Sequence, residues 1–514
     1  MMPVENRTPC VALEWDWLSG PLDLDLTNTG DFDTTATRAT VQRTPSYGIA
    51  VTVMGKGGFS SPAHELRLRK GEMLPPLRPL SGTHVHTDSV HALRTDATLE
   101  GLTEEGRTIS GADSLRISAS ANSMAVTVTL PDPQADECGV EWLLNFDTDP
   151  ALLPGATDRS FGEVFTRLRS TSQLTLPFKA ARRSRAMTND HLVLRLRIDG
   201  REWTLTVGRP EPGHCATDLK PGFVEYRAAD GSLPDQATRE LVVTALSFAL
   251  GRHLIPVGWT VFDTHGRPTR ATSHRAHILG RDETFSNPSM PPCPLAPDGS
   301  PLVDPEATRA VTQAVLDLFQ RGVDIEFPVW LTWLARSSPL DACAAHYGAA
   351  IEALRSRFFS TRASGSTTLL PSADWKAVRP ALDAALDTAI KALPAAPSAQ
   401  VFTMLRNNLR GINNKSSGAR YPEFFELLGL PVDKVENAAL RERNKPAHGT
   451  EYEPSQYAGL KATVDALQTL FNRVMLKLAQ CDRAYIDYST YGHPVRRLSE
   501  PLGGPNGDRK AAGV

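Results

Sequence analysis

From its start to about residue 290 the chain places apolar residues at every second position in short runs. YGIAVTVMG (47–55), SMAVTVTLP (123–131), HLVLRLRIDG (191–200), EWTLTVGRP (202–210) and RELVVTAL (239–246) are rich in Val, Leu, Ile and Thr, and Gly, Pro, Asp and Asn separate them. A period of about two is that of a strand with one buried face. In LRLRK (66–70) and LVLRLRI (192–198) it puts leucines on one sheet face and arginines on the other. The pattern predicts an antiparallel sandwich or barrel-like region over 1–290, in one or two subdomains.

The texture changes at FSNPSMPPCPLAPDGSPLVDP (285–305), which holds seven prolines. Proline lacks an amide donor and fixes φ, so this run suits neither a helix interior nor a central strand. It predicts a linker over 291–304. Beyond it the apolar period lengthens to about 3.6, the period of an amphipathic helix. Helices are predicted over 305–322, 339–359, 372–393, 398–413, 421–429, 432–444 and 455–483. The expected fold class is therefore α+β and multidomain: a β-rich first half, then an all-helical bundle over 305–485. The residues 499–514, SEPLGGPNGDRKAAGV, show no apolar face and are expected to form a disordered tail.

Length and composition narrow the setting. A chain of 514 residues divides into several domains, and 41% apolar with 22% charged residues is the composition of a folded protein. A net charge of -3 excludes a uniformly basic surface but leaves room for one basic cleft. The six cysteines are widely scattered and form no C-x-x-C pair, which argues against a disulfide framework or a thiolate zinc site. The most apolar run, LVVTALSFAL (241–250), is about half the length a membrane span needs. A cytoplasmic protein without membrane partners is the resulting expectation.

The residues with the most chemical content lie in VENAALRERNKPAHGT (435–450). On an unbroken helix Arg443 and His448 would diverge by about 140°. Pro446 and Gly449 predict that the helix ends or kinks here, which lets Arg443, Asn444 and His448 turn toward one cleft. An imidazole that titrates near neutrality and a guanidinium fork suit RNA cleavage: one moves the proton of the attacking 2′-hydroxyl, and the other takes up charge growing on the phosphoryl oxygens. The alternative is structural, with Arg443 capping its helix or pairing with Glu436 or Glu442 and His448 in a loop.

The segment RNKPAHG (443–449), set between a helix and the long helix 455–483, resembles the R-x4-6-H motif of the HEPN superfamily. Its Arg-Asn-x-x-x-His-Gly form is similar to abortive-infection members of the ApeA-like type, in which a β-rich region precedes the helical module. The resemblance implies a metal-independent endoribonuclease that needs no cofactor and acts as a homodimer or higher homo-oligomer in antiphage defence. A phage-derived or nucleic-acid trigger would release it. Carried onto this chain, it implies that Arg443 holds the scissile phosphate, Asn444 orients it and His448 is the general acid or base. Glu352 in AAIEAL (349–354) would then match an acidic position on an earlier helix that holds the arginine. The same superfamily includes non-catalytic members, so a dimeric interaction or sensor protein is the alternative function.

Other basic residues are candidates for nucleic-acid contact: Lys445 inside the motif, Lys415 and Arg420 in NNKSSGAR (413–420), and Lys179, Arg182, Arg183 and Arg185 in FKAARRSRA (178–186). The run 178–186 reads first as a solvated loop between strands, with phosphate contact as the alternative. The histidine pairs His84/His86 and His274/His277 lack acidic or thiolate partners, so no metal site is expected. Gly55, Gly57 and Gly58 read as a turn, and Trp330 and Trp333 as core or interface residues.

Overall fold

The computed structural model describes residues 18, 21–28, 36–44, 46–56, 79–80, 83–87, 94–109, 114–130, 132–146, 182–183, 186–187, 191–208, 222–264, 268–279, 289–295, 305–361, 368–395, 398–415, 417–443 and 452–505. The chain divides into two compact units, Met1–Asp317 and Leu318–Val514. The β-rich first half and helical second half match the α+β expectation.

The strands of the first unit are β1 (Leu22–Asn28), β2 (Ala36–Arg43), β3 (Ile49–Lys56), β4 (Pro79–Leu80), β5 (Thr83–Thr87), β6 (Arg94–Glu100), β7 (Leu102–Ile109), β8 (Ser114–Ala121), β9 (Ser123–Thr129), β10 (Asp136–Leu143), β11 (Arg182–Arg183), β12 (Ala186–Met187), β13 (His191–Ile198), β14 (Arg201–Gly208), β15 (Gly222–Ala228), β16 (Pro256–Asp263) and β17 (Pro268–His274). Among the described residues fifteen of them form one sheet, in the order β13-β14-β15-β10-β16-β17-β9-β6-β5-β1-β2-β3-β8-β7-β4, and the pair β11-β12 stands apart. Neighbouring strands run antiparallel; β13 and β14, for example, pair from His191↔Gly208 to Ile198↔Arg201. The predicted alternation is visible in β13, where Leu192, Leu194, Leu196 and Ile198 are buried and the residues between them exposed. A twisted sheet of this width curls rather than staying flat. Accordingly it serves two cores: one around Leu24, Val41, Val51, Ile117 and Val126, the other around Val140, Trp142, Phe223 and Phe262.

Two expectations for this unit need correction. RELVVTAL is not a strand but part of helix α1 (Gln236–Leu250). Its β-branched residues favour a strand locally, but Asp235 caps the helix by accepting from the Thr238 amide, and Gly251, at φ 62, ends it in a left-handed turn. Val242, Val243, Ala245, Leu246 and Phe248 are buried, and packing of this kind outweighs a modest propensity deficit. Nor is the start of the proline run a free linker. Pro291, Pro292, Cys293 and Leu295 are buried, and the Met290 amide donates to the Gly251 carbonyl at 3.0 Å. Prolines bring no amide donor, so such a segment is buried without leaving N–H groups unpaired. The boundary between the units falls after Asp317, inside helix α2 (Pro305–Gln320), not at 291–304; residues 296–304 lie outside the described set.

The second unit contains α3 (Glu326–Arg336), α4 (Leu340–Ser360), α5 (Ser372–Lys391), α6 (Ala399–Gly411), α7 (Ser417–Leu428), α8 (Lys434–Glu442) and α9 (Tyr457–Leu478); α4 to α9 lie close to predicted helices, whereas α3 is not among them. Helix α4 packs against both α3 and α9, and α8 lies on α9. Trp333 is buried and Trp330 partly so, in keeping with a core role. No side chain of α5 or α6 is buried. A short hairpin, β18 (Tyr485–Ile486) with β19 (Val495–Arg496), follows α9.

The expected tail is folded over its described part. Leu502 is 4% exposed, and its amide donates to Glu436 Oε1 at 2.9 Å. The same oxygen accepts from Arg473 Nη1 at 2.6 Å, in an ion pair whose two side chains are fully buried. Arg473 Nη2 also donates to the Pro431 and Leu498 carbonyls. The segment is poor in apolar residues because buried polar contacts, rather than an apolar stripe, hold it. No described helix is long and apolar enough to cross a membrane.

Candidate active site

Helix α8 presents the candidate arginine. Asp433 and Glu436 form a reciprocal capping box at its start, and at its end the Arg443 amide still donates to the Ala439 carbonyl at 3.1 Å. Arg443 therefore leaves from the last helical turn, over α4. The close approach requires a glycine: a Cβ on Gly348 would stand 2.5 Å from Arg443 Cδ. Asn444, Lys445 and His448 lie outside the described residues, as does the break expected at Pro446.

Glu352, one turn further along α4, meets the arginine. Arg443 Nη2 lies 3.2 Å from Glu352 Oε2, and Arg443 Nη1 donates to the Leu440 carbonyl at 3.0 Å. Of the contacts in the structural alternative, Glu436 is committed to Arg473, while the helix-capping contact of Arg443 is present. Arg443 thus combines a capping role with a long-range carboxylate partner.

Two residues that are not among the predicted site residues complete the cluster. Tyr421 of α7 donates from its hydroxyl to Glu352 Oε2 at 3.0 Å, and Arg355 Nη2 binds Glu352 Oε1. The guanidinium carbons of Arg355 and Arg443 lie 4.6 Å and 4.7 Å from the centroid of the Tyr421 ring, within cation–π range. The Tyr421 ring also stacks on Phe425 at 5.8 Å. Burial pushes the Tyr421 hydroxyl well above its ordinary pKa against the pull of Arg443, so it remains a donor at neutral pH. Burial likewise lowers the Arg355 pKa, with Tyr421 and Glu352 working in the opposite direction. The i,i+3 spacing of Glu352 and Arg355 was a signal of their pairing; for Tyr421, brought in from 69 residues away, there was none.

The remaining basic candidates separate. Arg420 lies 5.7 Å from the Phe359 ring, and its charge bears on Arg355. Lys415 is paired with Glu423 at 2.7 Å. Arg182 and Arg183 are strand residues opposite Met187 and Ala186, not loop residues, and Lys179 and Arg185 lie outside the described set. His84 and His86 share a strand and face Thr98 and Asp96 in register. The described residues contain no cluster of His, Cys, Asp and Glu able to hold a metal. A cleft of about 600 Å³ opens between the far ends of α4 and α7, at Phe358, Thr361, Leu427 and Leu428, and includes none of the predicted site residues.

Chemically, the cluster sets two guanidiniums and a phenol around one carboxylate. It can orient a cation and present hydrogen-bond donors to an anion. No protein-family model, curated protein or solved structure matches the chain.

Proposed function

We propose that the helical unit is a metal-independent endoribonuclease of HEPN type, active in antiphage defence as a homodimer or higher homo-oligomer, under control of the β-rich unit. The observation that carries this reading is the contact between Arg443 and Glu352, 91 residues apart and named together on sequence grounds. In this scheme Arg443 grips the scissile phosphate, Asn444 orients it, and His448 transfers the proton as the 2′-hydroxyl attacks phosphorus and the 5′-oxygen leaves. Water is not the first nucleophile, and DNA lacks the attacking group. Cleavage by an imidazole and a guanidinium requires no Lewis acid, which makes insensitivity to chelators part of the proposal. Lys445, Lys415, Arg420, Lys179, Arg182, Arg183 and Arg185 serve as contacts to the polyanion. A phage-derived or nucleic-acid signal is the trigger.

The test is incubation of the purified full chain with labelled RNA in EDTA. Cleavage that disappears in Arg443→Ala and His448→Ala, with the fold retained, supports the enzyme. A second reading is favoured by a specific observation: the Arg443 side chain is only 11% exposed and binds its own helix end. A non-catalytic interaction or sensor module accounts for that burial. Absence of cleavage at every salt and RNA concentration, including beside candidate triggers, decides for it.

A further inference from the structure

Exposure is unevenly distributed within the cluster. The Glu352 side chain is 37% exposed, whereas Arg443 is 11% and Arg355 2% exposed. Glu352 is therefore the more solvent-accessible partner in both of its ion pairs. Both oxygens of Glu352 are engaged, Oε2 by Arg443 and Tyr421 and Oε1 by Arg355. Two adjacent anionic oxygens held by one Nη2 of each guanidinium and by a hydroxyl form a pattern by which proteins also hold a phosphate. Among the charges that bear most on Arg355, Arg443 and Arg420 are cationic and Glu352 is the acid.

We propose that Arg443, Arg355 and Tyr421 form the subsite for one RNA phosphate, and that Glu352 fills it as an internal competitor until the phosphate displaces it. The inference rests on the endoribonuclease reading and deepens it. A phosphate reaching Arg443 Nη2 from solvent meets Glu352 first. Displacement requires only that the exposed carboxylate swing outward, because the guanidiniums stay docked on the Tyr421 ring. The phosphate then accepts from the same three donors, and no covalent bond changes in this step. The resting site blocks itself, so weakly held anions are rejected and only RNA anchored by further contacts opens it.

Binding is separated from cleavage by a short RNA with every 2′-hydroxyl methylated, followed by fluorescence anisotropy on the full chain. Glu352→Gln should bind this RNA about tenfold more tightly than wild type, and inorganic phosphate should raise its melting temperature more than that of wild type. Tyr421→Phe removes a donor that serves Glu352 and the phosphate alike, and should change affinity far less than Glu352→Gln. Equal or weaker binding by a cooperatively melting Glu352→Gln overturns the proposal. If that variant does not fold, Glu352→Asp, whose shorter side chain holds the subsite less well, should bind more tightly than wild type, and unchanged or weaker affinity in it overturns the proposal instead. Tighter binding by Glu352→Gln without cleavage of unmodified RNA by wild type leaves the subsite standing and removes the nuclease reading. Cleavage that depends on Arg443 and His448, together with weakened Glu352→Gln, does the reverse.

Discussion

At the scale of single residues, the first unit contains a titrating pair with opposing signs. Glu141 of β10 is 4% exposed and accepts from Arg239 Nε at 2.6 Å, and the Arg239 guanidinium lies 4.1 Å from the Trp259 ring centroid. Burial raises the Glu141 pKa to about 7, against the attraction of Arg239. A carboxyl with a raised folded-state pKa contributes stability below its unfolded value, and that contribution is lost as pH rises through about 7. His274 behaves oppositely: burial, then Arg239 and Arg43, lower its pKa to about 4, so its contribution is present above its ordinary value near 6.5 and is lost as pH falls. The two slopes oppose one another between about pH 4.5 and 6.5. We therefore expect Glu141→Gln to reveal a loss of melting temperature on acidification through this window that wild type conceals. Thermal melts at half-unit pH steps provide the check, and parallel curves for the two proteins would refute the assignment.

At the scale of elements, glycines mark where secondary structures approach too closely for a side chain. Gly348→Ala places a methyl in helix α4, where alanine normally stabilises by about 0.5–1 kcal/mol over glycine. The new Cβ would stand 2.5 Å from Arg443 Cδ, so Arg443 must move from Glu352. On the proposed endoribonuclease reading, the expected result is at least a tenfold loss of RNA cleavage with little change in melting temperature; full activity would remove Arg443 from that proposal. Gly251→Ala differs in kind. Its φ of 62 and a Cβ 2.0 Å from the Met290 carbonyl carbon oppose any side chain, and the backbone cannot yield cheaply. We expect a loss on the order of 2 kcal/mol or more, read by chemical denaturation of the full chain. Asp235→Ala, which removes only the α1 cap, should cost about 1 kcal/mol.

At the scale of the whole molecule, the segment after α9 is a structural part of the helical unit. Ending the chain after residue 484 removes the Leu498 carbonyl and Leu502 amide that meet Arg473 and Glu436. It also removes the buried Tyr485, Leu498 and Leu502 side chains, so the shortened chain should aggregate or melt far earlier. A melt coincident with wild type would disprove the clamp. Periodicity was enough to read the strands of the first half and the helices of the second, because repeats near two and 3.6 directly report which face is buried. It failed for α1, whose C-terminal part, Ala245–Leu250, is buried all round and has no period to show. It failed again for residues 499–505, which polar partners from other parts of the chain hold in place. The chemistry divides in the same way. The local order Arg-Asn-x-x-x-His stood in the sequence, and Glu352 was named through resemblance. Arg355 joins Glu352 within one turn of α4, but that Tyr421 joins them was decided only when α4, α7 and α8 came together. Local spacing fixes neighbours within a turn, whereas contacts across 69 or 91 residues exist only where tertiary packing brings distant helices together.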